Sequence, residues 1–196
     1  MNYRNTEKLI LASGSPRRRD LLTQACLNFD IHVSAVDEST VPVQPPDRLV
    51  CELARLKATD VARSHPDTWT LGADTIVVID DTILGKPDSI DSAVSMLNRL
   101  NNRIHRVFTG FCITHPGTDQ TVTRHVSTDV AFKHLSKDEI DWYVSTKEPF
   151  DKAGGYGIQD MGAFMVKSVN GSYTNVVGLP VCEVIDELNR LNIINL

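Results

Sequence analysis

Short apolar runs alternate along the chain with stretches in which apolar residues recur every three or four positions, the rhythm of an α/β protein. Residues 9–12 read as a first strand, closed by a tight Ser-Gly-Ser-Pro turn, with a helix over 16–27 behind it. A second strand pattern covers 29–33, and a long helix follows over 47–63, stopped by His65-Pro66. Residues 76–79, Ile-Val-Val-Ile, form a β-branched run of the kind buried on both faces of a sheet, and Asp80-Asp81 turn the chain after it. A helical pattern spans 89–100, and two long strand patterns cover 107–114 and 121–132. Ser136 is placed to cap a helix over 136–145, with Glu139 completing a capping box. Residues 164–169, the Asn170-Gly171 turn and the segment beyond it read as a hairpin, and a last helix covers 180–191. No repeat, low-complexity tract or linker interrupts this order, so the expectation is a single domain over 1–196 with room for two lobes.

The composition narrows the partners. Of 196 residues, 41% are hydrophobic, enough for a sizeable core, and the formal net charge is -5. A general binder of nucleic acid or anionic membrane is usually basic, so any polyanion must be met by a local basic cluster. Basic and aromatic residues are not interleaved as in RNA-binding surfaces, which argues against nucleic acid. The four cysteines are widely spaced, with no Cys-x-x-Cys pair, which reads as free thiols in a reducing compartment and gives no zinc-site spacing. The six histidines show no metal-ligand spacing either. The amino terminus lacks the apolar stretch of a signal peptide, and no run approaches the ~18 apolar residues of a membrane span. A cytoplasmic protein without a membrane partner is expected.

Several charges stand in unusual places. Arg17, Arg18 and Arg19 crowd the first turn of the helix after Ser15-Pro16, where Ser15 suits the N-cap and Pro16 the first helical position. The positive end of the helix dipole disfavours cations there by roughly 0.3–1 kcal/mol each, so the cluster is a solvated patch, a set of pairs with acids elsewhere, or an anion site. On the long helix, Lys57 falls inside the apolar stripe of Leu49, Val50, Leu53, Ala54, Leu56 and Val61. It snorkels to solvent, pairs with Asp60 one turn on, or reaches an anion across the core edge. Asp74 precedes the most apolar strand and is either a local cap or a site residue. Glu38, after another strand, reads equally as a second site carboxylate or as an ordinary loop acid. Lys86 lies between Gly85, which permits close approach, and Pro87, which stiffens the exit. The stretch from Asp151 to Gln159 is glycine-rich, and its backbone N–H groups are suited to wrapping a ligand.

Taken together these segments resemble the Maf family of nucleotide pyrophosphatases. The matching stretches are Leu-Ala-Ser-Gly-Ser-Pro-Arg-Arg (11–18), Val-Asp-Glu (36–38), Ala-Arg-x-Lys-Ala (54–58), Gly-Ala-Asp-Thr (72–75) and Gly-Lys-Pro (85–87). Asp-Lys-Ala-Gly-Gly-Tyr-Gly-Ile-Gln (151–159) and Asn-Gly-Ser-Tyr-x-Asn-Val-Val-Gly-Leu-Pro (170–180) complete the set. They occur in family order and cover nearly the whole chain. The resemblance implies an α/β fold with a central mixed, twisted sheet flanked by helices, in two lobes with a cleft between them. It implies Asp74 as general base, and Glu38 with Asp74 as holders of a divalent cation, Mg²⁺ or Mn²⁺. Ser13, Arg18, Lys57 and Lys86 would contact phosphates. The positions of Arg17, Thr75 and Gln159 separate subgroups of the family: one reads Ser-Pro-Trp-Arg and Ser-Asp-Gln there and prefers 7-methylated GTP. Arg17, Thr75 and Gln159 resemble the subgroup acting on dTTP and UTP, with CTP or modified pyrimidine nucleotides as further candidates. Two departures are Leu56, where a polar residue often precedes the lysine, and Asn101-Asn102 in place of Ser-Gly.

The expected reaction is hydrolysis of a nucleoside triphosphate to monophosphate and pyrophosphate, with metal-assisted water attack at the α phosphorus. The amide of Gln159 offers a donor and an acceptor to the edge of uracil or thymine. The alternative is a nucleotide-binding regulator of cell division or septum formation without essential catalysis. Asp74 and Glu38 beside the basic residues favour catalysis. Related proteins suggest a homodimer.

Overall fold

The computed structural model describes residues 4–42 and 44–195. In chain order the strands are β1 (Arg4–Asn5), β2 (Leu9–Leu11), β3 (Asp30–Ile31), β4 (Trp69–Ile79), β5 (Thr82–Leu84), β6 (Ile104–His115), β7 (Gln120–Phe132), β8 (Val166–Asn170) and β9 (Ile194–Asn195). The helices are α1 (Pro16–Gln24), α2 (Pro46–Ala62), α3 (Ile90–Leu100), α4 (Lys137–Ser145), α5 (Tyr173–Val177) and α6 (Val181–Arg190). A mixed sheet of seven strands runs in the order β3-β2-β4-β6-β7-β8 with β5 on β4, while β1 and β9 form a separate antiparallel pair. The fold is therefore mixed α/β, as the alternating patterns predict.

Two compact units divide the chain. The first comprises Met1–Asp74, Thr109–Val126 and Gly178–Leu196, and the second Thr75–Phe108 and Ser127–Val177. In the first unit β2 pairs parallel with both β3 and β4. Helix α2 buries Val50, Leu53, Ala54, Ala58, Val61 and Ala62, whereas Leu49 and Leu56, expected in the same stripe, are only partly buried. Its approach to the sheet is unusually close. A Cβ added at Gly72 on β4 would stand 2.4 Å from the Ala54 carbonyl oxygen and 2.6 Å from the Ala58 nitrogen. One added at Gly110 on β6 would stand 2.3 Å from the Val50 carbonyl oxygen. Only glycine admits a helix backbone at that range.

The core of the second unit gathers Val77, Ile79, Leu84, Leu97, Leu100, Phe132, Ile140, Tyr143 and Met165 among others. Asp80 and Asp81 both take positive φ, 49° and 56°, as a tight two-residue hairpin requires, and they join β4 to the antiparallel β5. Ser89 caps α3 by accepting from the Ser92 nitrogen, and Ser136 with Glu139 forms the expected capping box on α4. Asn101 exchanges two hydrogen bonds with the Leu135 backbone, and Asn102 adopts φ 56°. The departure from Ser-Gly at this turn thus has a local hydrogen-bonding role.

Three expectations fail for definable reasons. The strand over 29–33 shrinks to Asp30–Ile31, an exposed edge that pairs only with β2. The helix over 16–27 ends at Gln24, because Cys26 turns into the left-handed region at φ 56°. The hairpin beyond Asn170-Gly171 is instead helix α5. The Ser172 nitrogen donates to Thr128 Oγ1, and the Ser172 hydroxyl accepts from the Asn175 nitrogen as an N-cap would. Asn175, fully buried, donates to the Val107 carbonyl and to Thr128 Oγ1, which ties α5 to β6 and β7. Among the described residues no helix is long and apolar enough to cross a membrane.

Candidate active site

The first unit assembles most of the predicted residues. After β2 the chain enters the Ser-Gly-Ser-Pro turn, where Ala12 donates its N–H to the Leu71 carbonyl at 2.8 Å and fixes the turn against β4. Ser13 is buried, and its hydroxyl accepts from the Ser15 nitrogen and from Arg18 Nη1, both at 3.2 Å. Ser15, expected to cap α1 through its side chain, makes no such bond. The serine that organises the turn is Ser13. Arg18 projects from the first turn of α1, and its guanidinium donates to the Ala73 carbonyl at 2.8 Å and to the Gly178 carbonyl at 2.8 Å. Burial lowers its pKa from the ordinary value; Asp74 opposes that shift, the neighbouring Arg17 charge adds to it, and Glu38 opposes it. Arg19, by contrast, is exposed and pairs with Asp20. The cluster is therefore divided: one arginine is drawn inward and one turned to solvent.

Lys57 joins two acids. Its Nζ lies 2.7 Å from Asp74 Oδ1 and 2.8 Å from Glu38 Oε1. The lysine and Asp74 side chains are only 14% and 10% exposed, whereas Glu38 is 53% exposed. The close seating of α2 on Gly72 brings this about, since it sets Lys57, beside Ala58, against the strand residue two positions beyond the glycine. Asp60, the alternative partner for Lys57, is engaged elsewhere: it accepts from the Ser34 hydroxyl and the Ala35 nitrogen, both at 2.9 Å. That anchors the segment leading to Glu38. Asp37 then accepts from the Ser39 nitrogen and hydroxyl, capping the 3-10 turn Glu38–Thr40 on which Glu38 sits. Asp74 itself lies in the middle of β4 rather than before its start, as the sequence suggested, because strand pairing with β2 begins already at Trp69.

Two carboxylates converging on one ammonium form a hard-oxygen donor pair. Mg²⁺ and similar cations are commonly held by one or two carboxylates, with water and substrate phosphates completing the shell. Glu38 and Asp74 fit that donor chemistry. Among the described residues no group of three or more His, Cys, Asp or Glu is placed to hold a metal.

The second unit holds Thr75, Lys86 and Gln159. Thr75 follows Asp74 on β4 and is half-buried. Lys86 is exposed, beyond β5, beside the buried Pro87. Gly85 is not a close-approach glycine: a Cβ there would meet nothing within 4 Å, and its carbonyl accepts from the Gly154 nitrogen at 2.9 Å. Much of the glycine-rich stretch serves packing. Gly154 has φ 69° and lies against Val77, while Gly157 lies against the buried Lys152 stem. Lys152 in turn pairs with Asp151 and donates to the Glu148 carbonyl. Gln159 is exposed at the end of the stretch. Sequence reasoning gave Asp60 the wrong partner, Lys57, and missed the Gly178 carbonyl and Glu148. Their contacts span 25 or more positions in the first two cases, and no local pattern marks them.

Comparison with known proteins identifies the family. Residues 8–191 match the family described as Maf-like protein. A protein of Syntrophus aciditrophicus named dTTP/UTP pyrophosphatase is 47% identical over 186 residues, covering 95% of this chain and 91% of its own. One of the same name from Geotalea uraniireducens is 47% identical over 186 residues, with 95% and 96% coverage. A third, from Desulfotalea psychrophila, is 43% identical over 194 residues, with 99% and 100% coverage. With the motifs in family order, the family match over nearly the whole length and these full-length relatives, the chain belongs to the Maf family.

Proposed function

We propose that this protein hydrolyses dTTP and UTP to the nucleoside monophosphate and pyrophosphate by attack of water on the α phosphorus. The observation that carries the mechanism is the Glu38–Lys57–Asp74 cluster, an enclosed carboxylate held by a cation beside an inward-drawn arginine. Three relatives named dTTP/UTP pyrophosphatase, matched end to end, support the substrate. Asp74, seated on the rigid backbone of a central strand, takes the proton of the attacking water. Arg18, Lys57 and Lys86 offset the charge of the triphosphate and of the departing pyrophosphate, with the Ser13 hydroxyl as a further phosphate donor. Arg17, Thr75 and Gln159 select the base, Gln159 by offering both a donor and an acceptor. A divalent cation held by Glu38 and Asp74, when bound, supplies Lewis-acid polarisation of the phosphoryl oxygens.

The test is a panel of UTP, dTTP, CTP and GTP with Mg²⁺ in ¹⁸O-labelled water, with products separated by chromatography. UTP should give UMP and pyrophosphate in one step, with the label in UMP. Accumulation of UDP and orthophosphate, or label only in the released phosphate, would refute attack at the α phosphorus.

A further inference from the structure

The segment from Gly157 to Gly162 is a narrow-necked arch, and Gln159 stands on it. At the neck, a Cβ on Gly162 would lie 2.6 Å from the Gly157 carbonyl oxygen and 2.8 Å from the Tyr143 hydroxyl. The two feet of the arch are held by two side chains that are bonded to each other. The Gly157 nitrogen donates to the Tyr143 hydroxyl at 3.1 Å, and that hydroxyl donates to Glu148 Oε1 at 2.9 Å. The Glu148 carboxylate also accepts from the Met161 nitrogen on Oε2 at 3.1 Å and from the Gly162 nitrogen on Oε1 at 3.3 Å. Tyr143 is fully buried on α4, and Lys152 secures the Glu148 carbonyl from the other side. Ionised carboxylate is acceptor-only, so one side chain serves three donors without leaving a misdirected hydrogen. The Gln159 side chain, by contrast, makes no hydrogen bond among the described residues.

We infer that Tyr143 and Glu148 are positioning residues for base selection: together they preorganise the arch so that the Gln159 amide meets the base edge at a fixed place. This rests on the reading that Gln159 reads the base. An amide on a wandering loop forms the same hydrogen bonds only after the loop is ordered, and that ordering cost falls on the preferred base. The clamp therefore acts on discrimination and leaves the phosphate contacts alone.

The experiment compares Tyr143→Phe and Glu148→Gln, each alone and combined with Gln159→Ala. The readouts are kcat/KM for UTP and GTP, inhibition by inorganic pyrophosphate, and melting temperature. Each single variant should lower the UTP-to-GTP ratio about three- to tenfold, the worth of one hydrogen bond. Neither should lower the ratio further once Gln159 is alanine, and pyrophosphate inhibition should stay within about twofold of the parent. A ratio unchanged in both single variants, where Gln159→Ala does lower it, would overturn the clamp. So would an equal fall for UTP and GTP accompanied by weaker pyrophosphate inhibition. If Gln159→Ala itself leaves the ratio intact, the assignment of the base to Gln159 is wrong and the clamp falls with it.

Discussion

Removing the ammonium of Lys57 should expose how strongly the candidate site depends on that one cation. In Lys57→Met the methylene stem is largely kept, but Asp74 loses its nearest counter-charge while only 10% of its side chain reaches solvent. Breaking an enclosed ion pair by deleting one partner costs about 3–5 kcal/mol, because the remaining charge is left desolvated. Two features moderate this. Glu38 is half exposed and can turn to water, and the charge of Arg18 also acts on Asp74. The expected loss therefore falls below that range, at about 2–3 kcal/mol at neutral pH. The double variant Lys57→Met/Asp74→Asn removes the stranded charge as well and should be less destabilised than the two single losses added together. Urea unfolding of the four proteins in chelator-treated buffer measures the cycle, with the m-value serving as a check that the unfolding reaction is unchanged. A Lys57→Met protein within about 0.5 kcal/mol of the parent, or an additive cycle, would show that the pair is not energetically coupled.

Three further outcomes are expected. Asp74→Asn should slow UTP hydrolysis about 10²–10⁴-fold while nucleotide still binds, measurable by single-turnover kinetics beside calorimetry; a rate within a few-fold of the parent would remove Asp74 from the mechanism. Gly72→Ala would drive a methyl group into the Ala54 and Ala58 backbone, which cannot yield as a flexible side chain would. It should cost about 3 kcal/mol and depress activity as α2 and Lys57 move, so a parental melting temperature with parental kcat would contradict the proposed seating. His105 is buried, bonded through Nε2 to the Tyr156 hydroxyl, and burial lowers its pKa to about 4, with Asp129 opposing. Between pH 6.5 and 4 the unfolded chain binds a proton that the folded chain refuses, so His105 costs no stability above that window and about 3 kcal/mol by its lower end. His105→Phe should flatten the fall in stability over this range relative to the parent, as followed by urea unfolding at stepped pH.

What the sequence alone determined is what short-range physics encodes. The strand and helix patterns, the capping box at Ser136 and Glu139, the Asp80-Asp81 turn and the ordered motifs each depend on residues a few positions apart. Where a distant contact competes, the local reading gives way. Asn170-Gly171 looks like a hairpin turn, yet Thr128 and Asn175 draw the following residues into a helix. Ser15 looks like a cap, but Ser13 organises the turn because Arg18 reaches it. Lys57 has an acid one turn away, but Asp60 bonds the segment before Glu38 and leaves the lysine to residues 19 and 17 positions distant. Only the tertiary structure could make that choice. It follows from a helix backbone pressed against Gly72, a contact whose cause is the missing side chain of a residue 18 positions from Ala54. The same holds for Tyr143 and Glu148 around Gln159, whose roles arise from a chain that folds back on itself until its two glycine feet meet.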